Sequence, residues 1–363
     1  MQTGKRLTVL MLTWHYSPSQ TSGIAKAGHA LIQSLKPYHN ILEFYPKPPH
    51  FHPILQSQAP YHSNLSNAQA FRLELIEALP TLSFDLIHVH DWVGFLAGIE
   101  LKQQSGKPLI FHIHSLEYDR NPNFHRSPIY HWEKEALQQA DAIITVSAYT
   151  KGILQSHYAI PPECIQIIYS PLQRIKPYQL SKRHPENLIS FIGRFEERKG
   201  VRSFLKLARH IQTQSDQFRF VMAGNGSLWT ELIEEVLLRP IPRFHFTGQL
   251  TQAEVQRLLV ISDFLIMPSQ SEPFGLIALE AAQLGVPVLL SHQSGVKEIL
   301  HSALQINHWK VNEMAEAILR SFRYPQIRQS FIRSAFHDLH RFYTSPSLPH
   351  LLQLYHSLVS HSN

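Results

Sequence analysis

Two glutamates lie eight residues apart in the stretch SEPFGLIALEAAQLG, Ser271 to Gly285. The stretch begins with loop-forming residues and continues as an apolar helix, where an unpaired carboxylate would cost several kcal/mol to bury. Glu272 lies in the loop part and Glu280 in the helical part. Two interpretations are open: both are exposed surface charges, or a polar ligand meets them.

A phosphate site is predicted at the start of the same helix. Pro273 is tolerated at a first helical turn, and Gly275 has no side chain to keep a ligand from its amide. The free amides from Phe274 to Leu276 and the helix dipole would favour an anion. Glu280 would then accept two hydroxyls of a ribose, and Glu272 hydroxyls of a sugar.

Cations for such a phosphate are supplied by the stretch FIGRFEERKG. Gly193 allows a tight turn at a strand end, Arg194 follows the strand directly, and Lys199 precedes the next helix. Arginine binds phosphate through two donors and lysine acts as a point charge. In the first half, Gly23 stands in a loop of small residues before a helix, where it is a phosphate-binding glycine or an ordinary turn residue.

Histidines recur in pairs at two predicted strand ends, in HVHDW and HIHSLEYDR. Members of an i, i+2 pair share one face of a strand, so His88, His90, His112 and His114 with Asp91 would suit a metal site of hydrolase type. The commoner alternative is a set of hydrogen-bonded buried histidines. In that case a sugar contact by His114 stays open.

Composition limits the class of protein. The chain has 363 residues, 44% of them hydrophobic, which suits two globular domains. Its net charge is +6 without a long basic run, which suits a phosphorylated ligand, an anionic membrane surface or simply a solvated basic surface, and nucleic acid is not expected as a partner. Cys164 is the only cysteine, which excludes an internal disulfide and suits a reducing compartment. No stretch approaches the roughly 20 apolar residues of a membrane-spanning helix.

Short apolar runs without in/out alternation are separated by longer amphipathic segments, which is typical of buried parallel strands joined by helices. Helices are predicted at Gly23 to Leu35 and Ser127 to Ala140. The predicted strands are Leu7 to Trp14, Asp85 to His90, Pro108 to His114, Ala142 to Ser147 and Ile165 to Tyr169, followed by NLISFIGR, FRFVMAG, DFLIMPS and VPVLLS in the second half.

The pattern stops and restarts once, which predicts two doubly wound α/β domains with a ligand cleft between them. We expect the first domain at 1–172, a proline-containing linker at 173–187, and the second domain at 188–325. Residues 326–363 are helical in period and are expected to pack on one or both domains.

The chain resembles the retaining glycosyltransferases of family 4, which are related to bacterial glycogen synthases. The likeness runs from about Thr8 to Ser321. Its most specific part is MPSQSEPFGLIALEAAQLGVPVLLSHQSGVKEIL, which is similar to the E-x7-E region of that family. FIGRFEERKG, VMAGNGSLW and FTGQLTQAEV follow the family order, and HIHSLEYDR with ADAIITVSAYTKGIL is similar to its first domain. The resemblance implies the GT-B fold of two Rossmann-like domains.

The resemblance also implies a role for each matching residue. Glu272 would contact the donor sugar, Glu280 the ribose, and the turn from Phe274 to Leu276 the diphosphate. Arg194 and Lys199 would stabilise the leaving nucleoside diphosphate without a metal or another cofactor. His114 would lie against the sugar near its anomeric carbon, and Gly23 in a loop over the phosphates.

Two positions depart from the family pattern. The first loop has Ser22 and Gly23 instead of two adjacent glycines, which weakens the phosphate contact expected there. Ser170 and Pro171 replace an Asn-Gly pair after the last strand of the first domain, which affects the expected hinge.

The sequence therefore predicts a cytoplasmic glycosyltransferase, with contact to the inner membrane face left open. The donor would be a nucleotide diphosphate sugar, and the acceptor a glycan, a lipid-linked sugar or a small molecule read by loops such as Pro46 to Asn67. The alternatives are a catalytically silent sugar-nucleotide binder of the same fold, a metal hydrolase built on the histidines, and another nucleotide-sugar enzyme such as an epimerase.

Overall fold

The computed structural model describes residues 5–13, 23–45, 61–175, 186–345 and 347–361. The chain divides into two compact units, one formed by Met1–Leu172 with Pro346–Asn363 and the other by Gln173–Ser345. The strands and helices up to residue 172 are β1 (Thr8–Thr13), α1 (Gly23–Leu35), β2 (Asn40–Phe44), α2 (Tyr61–Ala78), β3 (Leu86–His90), α3 (Phe95–Ser105), β4 (Leu109–Ile113), α4 (Glu117–Arg120), α5 (Pro128–Leu137), β5 (Ala142–Thr145), α6 (Ala148–Tyr158) and β6 (Ile165–Ile167).

The remaining elements follow the same alternation. They are β7 (Asn187–Ile192), α7 (Val201–Gln212), β8 (Phe218–Ala223), α8 (Trp229–Leu238), β9 (Phe244–Gly248), α9 (Gln252–Ile261), β10 (Phe264–Met267), α10 (Leu276–Gln283), β11 (Val288–Leu290), β12 (Leu304–Gln305), α11 (Val311–Arg323), α12 (Pro325–Tyr343) and α13 (Ser347–His361). Among the helices in the described ranges, none combines the length and the apolar character needed to cross a membrane.

Each unit contains one six-stranded parallel sheet with helices along the chain between its strands. The strand order is β2-β1-β3-β4-β5-β6 in the first unit and β12-β11-β10-β7-β8-β9 in the second. Within the described residues, neighbouring strands of both sheets pair in parallel. The predicted fold of two doubly wound parallel sheets is confirmed.

The two faces of the first sheet carry separate cores. Along β1, Leu10 and Leu12 belong to one hydrophobic cluster while Val9 and Met11 belong to another. This alternation follows from the two-residue period of a strand, and both faces are covered because the sheet is parallel. The second cluster also contains Tyr355, so α13 packs on the first sheet.

Each sheet has a point at which the order of strand addition reverses. In the first sheet it lies between β1 and β3, and in the second between β7 and β10. Loops leave the carboxyl ends of these neighbouring strands in opposite directions, and ligands of open α/β sheets bind in the crevice that results. The chemistry-bearing residues Arg194 and Glu272 follow β7 and β10 respectively.

Several predicted strand ends and one predicted loop differ from the structure. Each predicted strand contains one observed strand, but the strand expected to end at Ser147 stops at Thr145 and the one expected to end at Tyr169 stops at Ile167. The strands β2, β9 and β12 and the helix α2 were not predicted. The segment expected to be an acceptor loop, Pro46 to Asn67, is helical from Tyr61 onward, and its residues 46–60 lie outside the described ranges.

Candidate active site

The two glutamates of the opening stretch are both buried, with 8% and 5% of Glu272 and Glu280 exposed. The interpretation of both as exposed surface charges is therefore wrong. Glu272 lies in the loop after β10, and Glu280 lies within α10. Each carboxylate has a polar partner, as burial requires.

Lys199 is the partner of Glu272. The Lys199 Nζ lies 2.5 Å from Glu272 Oε2, and the exposed side-chain fractions are 16% and 10%. Ser269 adds a weaker contact, with its Oγ 3.4 Å from the same oxygen. Burial lowers the pKa of Lys199, and the nearby Glu272 opposes that shift. The structure thus brings two predicted site residues, 73 positions apart in sequence, into direct contact.

The backbone fixes Glu272 between two loops. Its amide donates to the Gln293 carbonyl at 2.9 Å, and its carbonyl accepts from the Gly295 amide at 2.8 Å. On the other side, the Gln270 amide donates to the Arg198 carbonyl at 2.7 Å. These bonds connect the loop after β7 to the loop after β10, so the ion pair is held at the reversal point of the second sheet.

Arg194 lies at the same edge of the sheet, directly after Gly193, whose amide bonds to Ala223. The Arg194 Nε lies 2.8 Å from Glu196 Oε1, and 51% of its side chain is exposed. Arg198 contacts the other oxygen of Glu196, also at 2.8 Å. Burial opposes ionisation of Glu196, but Arg198, Arg194 and Lys199 together keep its pKa below the ordinary value.

The start of α10 leaves backbone donors without a side-chain cap. Gly275 stands at the N-cap with φ 104°, a left-handed value, and no side chain caps this end. A Cβ at Gly275 would come within 2.8 Å of Met267 Cε and 3.3 Å of Glu272 Cγ. Phe274 is fixed through its carbonyl, which accepts from the Val296 amide at 2.8 Å. An uncapped, dipole-positive helix end close to the Lys199–Glu272 pair suits an anion.

Glu280 lies farther along α10 and does not join the Lys199 pair. Its Oε2 accepts a hydrogen bond from Gln252 Nε2 at 3.1 Å. Gln252 is the first residue of α9, which follows the cap residue Thr251. This partner was missed because Gln252 is an unremarkable polar residue until the two helices pack.

Three further glycines support the site, and the sequence analysis did not single them out. Gly200 has φ +70°, and a Cβ there would lie 1.8 Å from the Pro268 carbonyl oxygen. Gly224 has φ +139°, and a Cβ there would lie 1.8 Å from the Gly193 carbonyl oxygen. A Cβ at Gly226 would lie 2.5 Å from the Phe195 carbonyl oxygen. At these positions only glycine lets the loops after β7, β8 and β10 approach one another.

The remaining predicted residues belong to the first unit. Gly23 is the exposed first residue of α1, and the loop before it lies outside the described residues. His114 follows β4 and is 8% exposed. Its amide donates to Asp91 Oδ1 at 2.8 Å, and the Ser115 amide donates to the same oxygen at 3.2 Å. Asp91 thus serves as a backbone anchor for the segment that carries His114.

Four histidines form a stack beside β1, β3 and β4. His88 and His90 lie with ring centroids 4.8 Å apart and planes 5° apart, and His112 and His114 with centroids 4.5 Å apart and planes 14° apart. Burial lowers the pKa of His114 to about 4 and that of His88 to about 3, with His114 adding to the His88 shift. Burial also places the pKa values of His90 and His112 well below the ordinary value.

The metal interpretation of these histidines is disfavoured by ring geometry. Nitrogens of His88, His90 and His112 all lie within 4.8 Å of one another. However, the lone pair with which an imidazole nitrogen binds a metal lies in the plane of the ring. The lone pairs of stacked rings in nearly parallel planes therefore do not point to one ion. Instead the nitrogens bond to neighbours, with His88 Nε2 3.2 Å from His112 Nδ1 and His88 Nδ1 2.5 Å from the Tyr355 hydroxyl.

Comparison with known proteins decides the family. Residues 26–173 match the family described as Glycosyltransferase Family 4, and residues 173–338 match Glycosyl transferases group 1. The chain belongs to the group 1 glycosyltransferases. The two matches meet at residue 173 and together cover residues 26–338 of this glycosyltransferase.

Individual relatives agree with this assignment. The glycosyltransferase is 24% identical over 330 residues to a glycogen synthase of Mycobacterium tuberculosis, covering 80% of each chain. Its fold is similar to a sucrose-phosphate synthase from Thermosynechococcus elongatus, with TM-score 0.77, 20% identity, and 98% and 100% of the two chains covered. It is also similar to Anabaena HepE in complex with UDP and glucose, with TM-score 0.71, 17% identity and 98% and 100% covered. These structures share the GT-B fold, which confirms that prediction.

Proposed function

We propose that this glycosyltransferase uses a nucleoside diphosphate sugar as donor and transfers the sugar to an acceptor hydroxyl with retention of anomeric configuration. The observation that carries the proposal is the Lys199–Glu272 ion pair beside the uncapped start of α10. The complex of HepE with UDP and glucose gives a precedent within the same fold.

The donor would lie along the reversal point of the second sheet. The diphosphate would bind the amides from Phe274 to Leu276, with Arg194 and Lys199 as its cations. The half-exposed Arg194 side chain is accessible to such a ligand. Glu280 would accept the ribose hydroxyls and Glu272 a sugar hydroxyl.

Lys199 has a particular electrostatic role in this scheme. Burial makes its positive charge costly, and Glu272 compensates for only part of that cost, since the pKa stays below its ordinary value. A second negative group, the diphosphate, would stabilise the ammonium further. Charge that develops on the leaving diphosphate then meets a cation already held in place, which is electrostatic catalysis by preorganisation.

The reaction we propose is a front-face displacement. The acceptor oxygen forms a bond to the anomeric carbon while the bond from that carbon to the diphosphate oxygen breaks. The acceptor proton passes to the departing phosphate oxygen, so no pair of flanking protein carboxylates is needed. His114 would contact the sugar, and the acceptor would be a carbohydrate or a lipid-linked sugar.

A donor screen tests this function. The purified protein is incubated with UDP-, GDP- and ADP-sugars, with simple sugars and lipid-linked sugars as acceptors, and nucleoside diphosphate release and product configuration are followed by NMR. We expect release from one donor class and an anomeric configuration equal to that of the donor. Binding without transfer across the acceptor panel would favour the silent binder, and an inverted product would exclude the retaining mechanism.

The role of Arg194 in transfer is tested with the variant Arg194→Met, and Arg219→Met is the matched control. Arg219 lies near the amino end of β8, away from the proposed site, and pairs with Glu186 at 2.6 Å. Loss of one charged hydrogen bond corresponds to about 1.5–3 kcal/mol, or at least a tenfold loss of rate. We expect that loss for Arg194→Met and near wild-type rates for Arg219→Met.

A further inference from the structure

The histidine stack contains a directed hydrogen-bond chain that ends at His114. Met11 Sδ lies 3.0 Å from His90 Nε2, and His90 Nδ1 lies 2.8 Å from His114 Nε2. Met11 comes from β1, His90 from β3 and His114 from the residue after β4. All three are buried, with at most 8% exposed.

The sulfur sets the direction of this chain. A thioether accepts hydrogen bonds and has no hydrogen to donate. His90 must therefore carry its proton on Nε2, because a bare nitrogen would place its lone pair against the sulfur lone pairs. A neutral imidazole has one N–H only, so His90 Nδ1 is an acceptor. The bond between the two rings then requires His114 Nε2 to donate.

His114 is likewise a neutral imidazole with a single ring N–H group. If Nε2 carries the proton of a neutral ring, Nδ1 carries a lone pair. Within the part of the chain that the structure describes, no hydrogen bond to His114 Nδ1 is recorded, while the His114 amide is held by Asp91. Burial lowers the pKa values of His114 and His90, so both rings are neutral at physiological pH and neither carries protons on both nitrogens.

We propose that Met11 and His90 are positioning residues that hold His114 as its Nε2–H tautomer, so that His114 presents Nδ1 as a hydrogen-bond acceptor for a hydroxyl of the bound ligand. That a ligand reaches His114, and that this ligand is a donor sugar, rests on the proposed function, whereas the tautomer of His114 does not. A hydroxyl of the ligand would donate its proton to His114 Nδ1. With the other tautomer, His114 would instead donate to an oxygen of the ligand. The hydrogen-bond chain from Met11 to His114 thus determines that this position selects a hydrogen-bond donor on the sugar.

The test is NMR of the ligand-free protein at pH 7 with 15N-labelled histidine. The two ring nitrogens differ strongly in 15N shift according to which one carries the hydrogen, and His114→Gln and His90→Asn identify the signals. We expect His90 and His114 both as Nε2–H tautomers in the wild type. In Met11→Leu, His90 loses its acceptor, and the Nε2–H population of His114 should fall at least twofold.

Three variants distinguish the hydrogen-bond chain from a general structural role of its residues. His90→Asn keeps an acceptor near the position of Nδ1 and should preserve the His114 tautomer, whereas His90→Leu should not. Met314→Leu makes the same change at a buried core position of the second unit and should leave the histidine signals unchanged.

An Nδ1–H tautomer of His114 in the wild type, or an unchanged tautomer in both Met11→Leu and His90→Leu, would overturn the proposal. Because the measurement needs no donor, it is independent of the proposed function. Absence of transfer with every donor would count against that function and leave the tautomer result standing.

Discussion

Lys199 and Glu272 form a buried ion pair, with Nζ 2.5 Å from Oε2, that joins the loop after β7 to the loop after β10. The pair compensates for two buried charges at the edge of the sheet where a polar ligand is expected. Breaking one buried partner leaves the other charge uncompensated, which costs more than removing both.

Lys199→Met should therefore lower the free energy of unfolding by about 3–5 kcal/mol, since Glu272 is left buried without its cation. The double variant Lys199→Met/Glu272→Gln should recover part of that loss because no buried charge remains. Urea denaturation of Lys199→Met, Glu272→Gln and the double variant measures the coupling between the two residues. Strictly additive losses would show that the two residues are not coupled.

Glycine substitutions test the close approach of the site loops. Gly224→Ala and Gly200→Ala should each cost about 3 kcal/mol or more, because each Cβ would overlap a carbonyl oxygen at 1.8 Å. Gly106→Ala is the matched control, with φ +66° and nothing within 4 Å of the added Cβ. There only the backbone strain of about 1 kcal/mol is expected. Equal thermal shifts for all three variants would contradict the close packing.

Gln252→Leu should affect the nucleotide through Glu280. Without the amide donor at 3.1 Å, the Glu280 carboxylate loses one bond that orients it toward the proposed ribose. We expect about tenfold weaker nucleoside diphosphate binding and weaker discrimination against the 2′-deoxy form. Gln214→Leu, at an exposed position after α7, serves as control. If the preference for ribose stays intact in Gln252→Leu, Gln252 does not orient Glu280.

The lowered pKa values of the stacked histidines predict that the protein loses stability in acid. Unfolded histidines take up protons near pH 6.5, whereas His114 does so in the folded protein at about 4 and His88 at about 3. The unfolded state therefore binds more protons between these values, and stability falls as pH falls below about 6.5. Each buried histidine contributes about 1.4 kcal/mol per pH unit in that window. Glu133 has the opposite sign, because burial raises its pKa to about 7, but it contributes only one proton.

Urea midpoints at pH 7, 6 and 5 should consequently decrease steeply, and His112→Gln should reduce the slope by about one proton. His112 suits this substitution because it is fully buried and its Nε2 lacks a hydrogen-bond partner in the described structure. Stability that is constant from pH 7 to pH 5 would show that the histidines are not neutral in the folded state.

Much of the fold was predictable because buried parallel strands are continuous apolar runs. The bounds predicted for α1 agree with the structure, and the central strands were found with small errors at their ends. β2 and β9 were missed because their residues are only partly buried, and β9 alternates between half-buried and exposed positions. Edge strands carry a weaker hydrophobic signal than central ones.

The site was predictable in part for the same physical reason. An apolar helix with two glutamates implied partners for both, and both glutamates are buried. The identities of the partners depend on long-range packing that local sequence does not encode. Examples are Gln252 beside Glu280 and the need for Gly224 opposite the Gly193 carbonyl. The hydrogen-bond chain through Met11 likewise appears only when β1 and β3 lie side by side.

In the proposed function, the second unit binds a nucleoside diphosphate through the start of α10 and Glu280. Isothermal titration of UDP, GDP and ADP into the wild type and into Glu280→Gln measures this binding. We predict that one of the three diphosphates binds the wild type and that Glu280→Gln weakens this binding at least tenfold, or about 1.4 kcal/mol. Equal affinity in the two proteins, or no binding of any diphosphate to the wild type, would contradict the account.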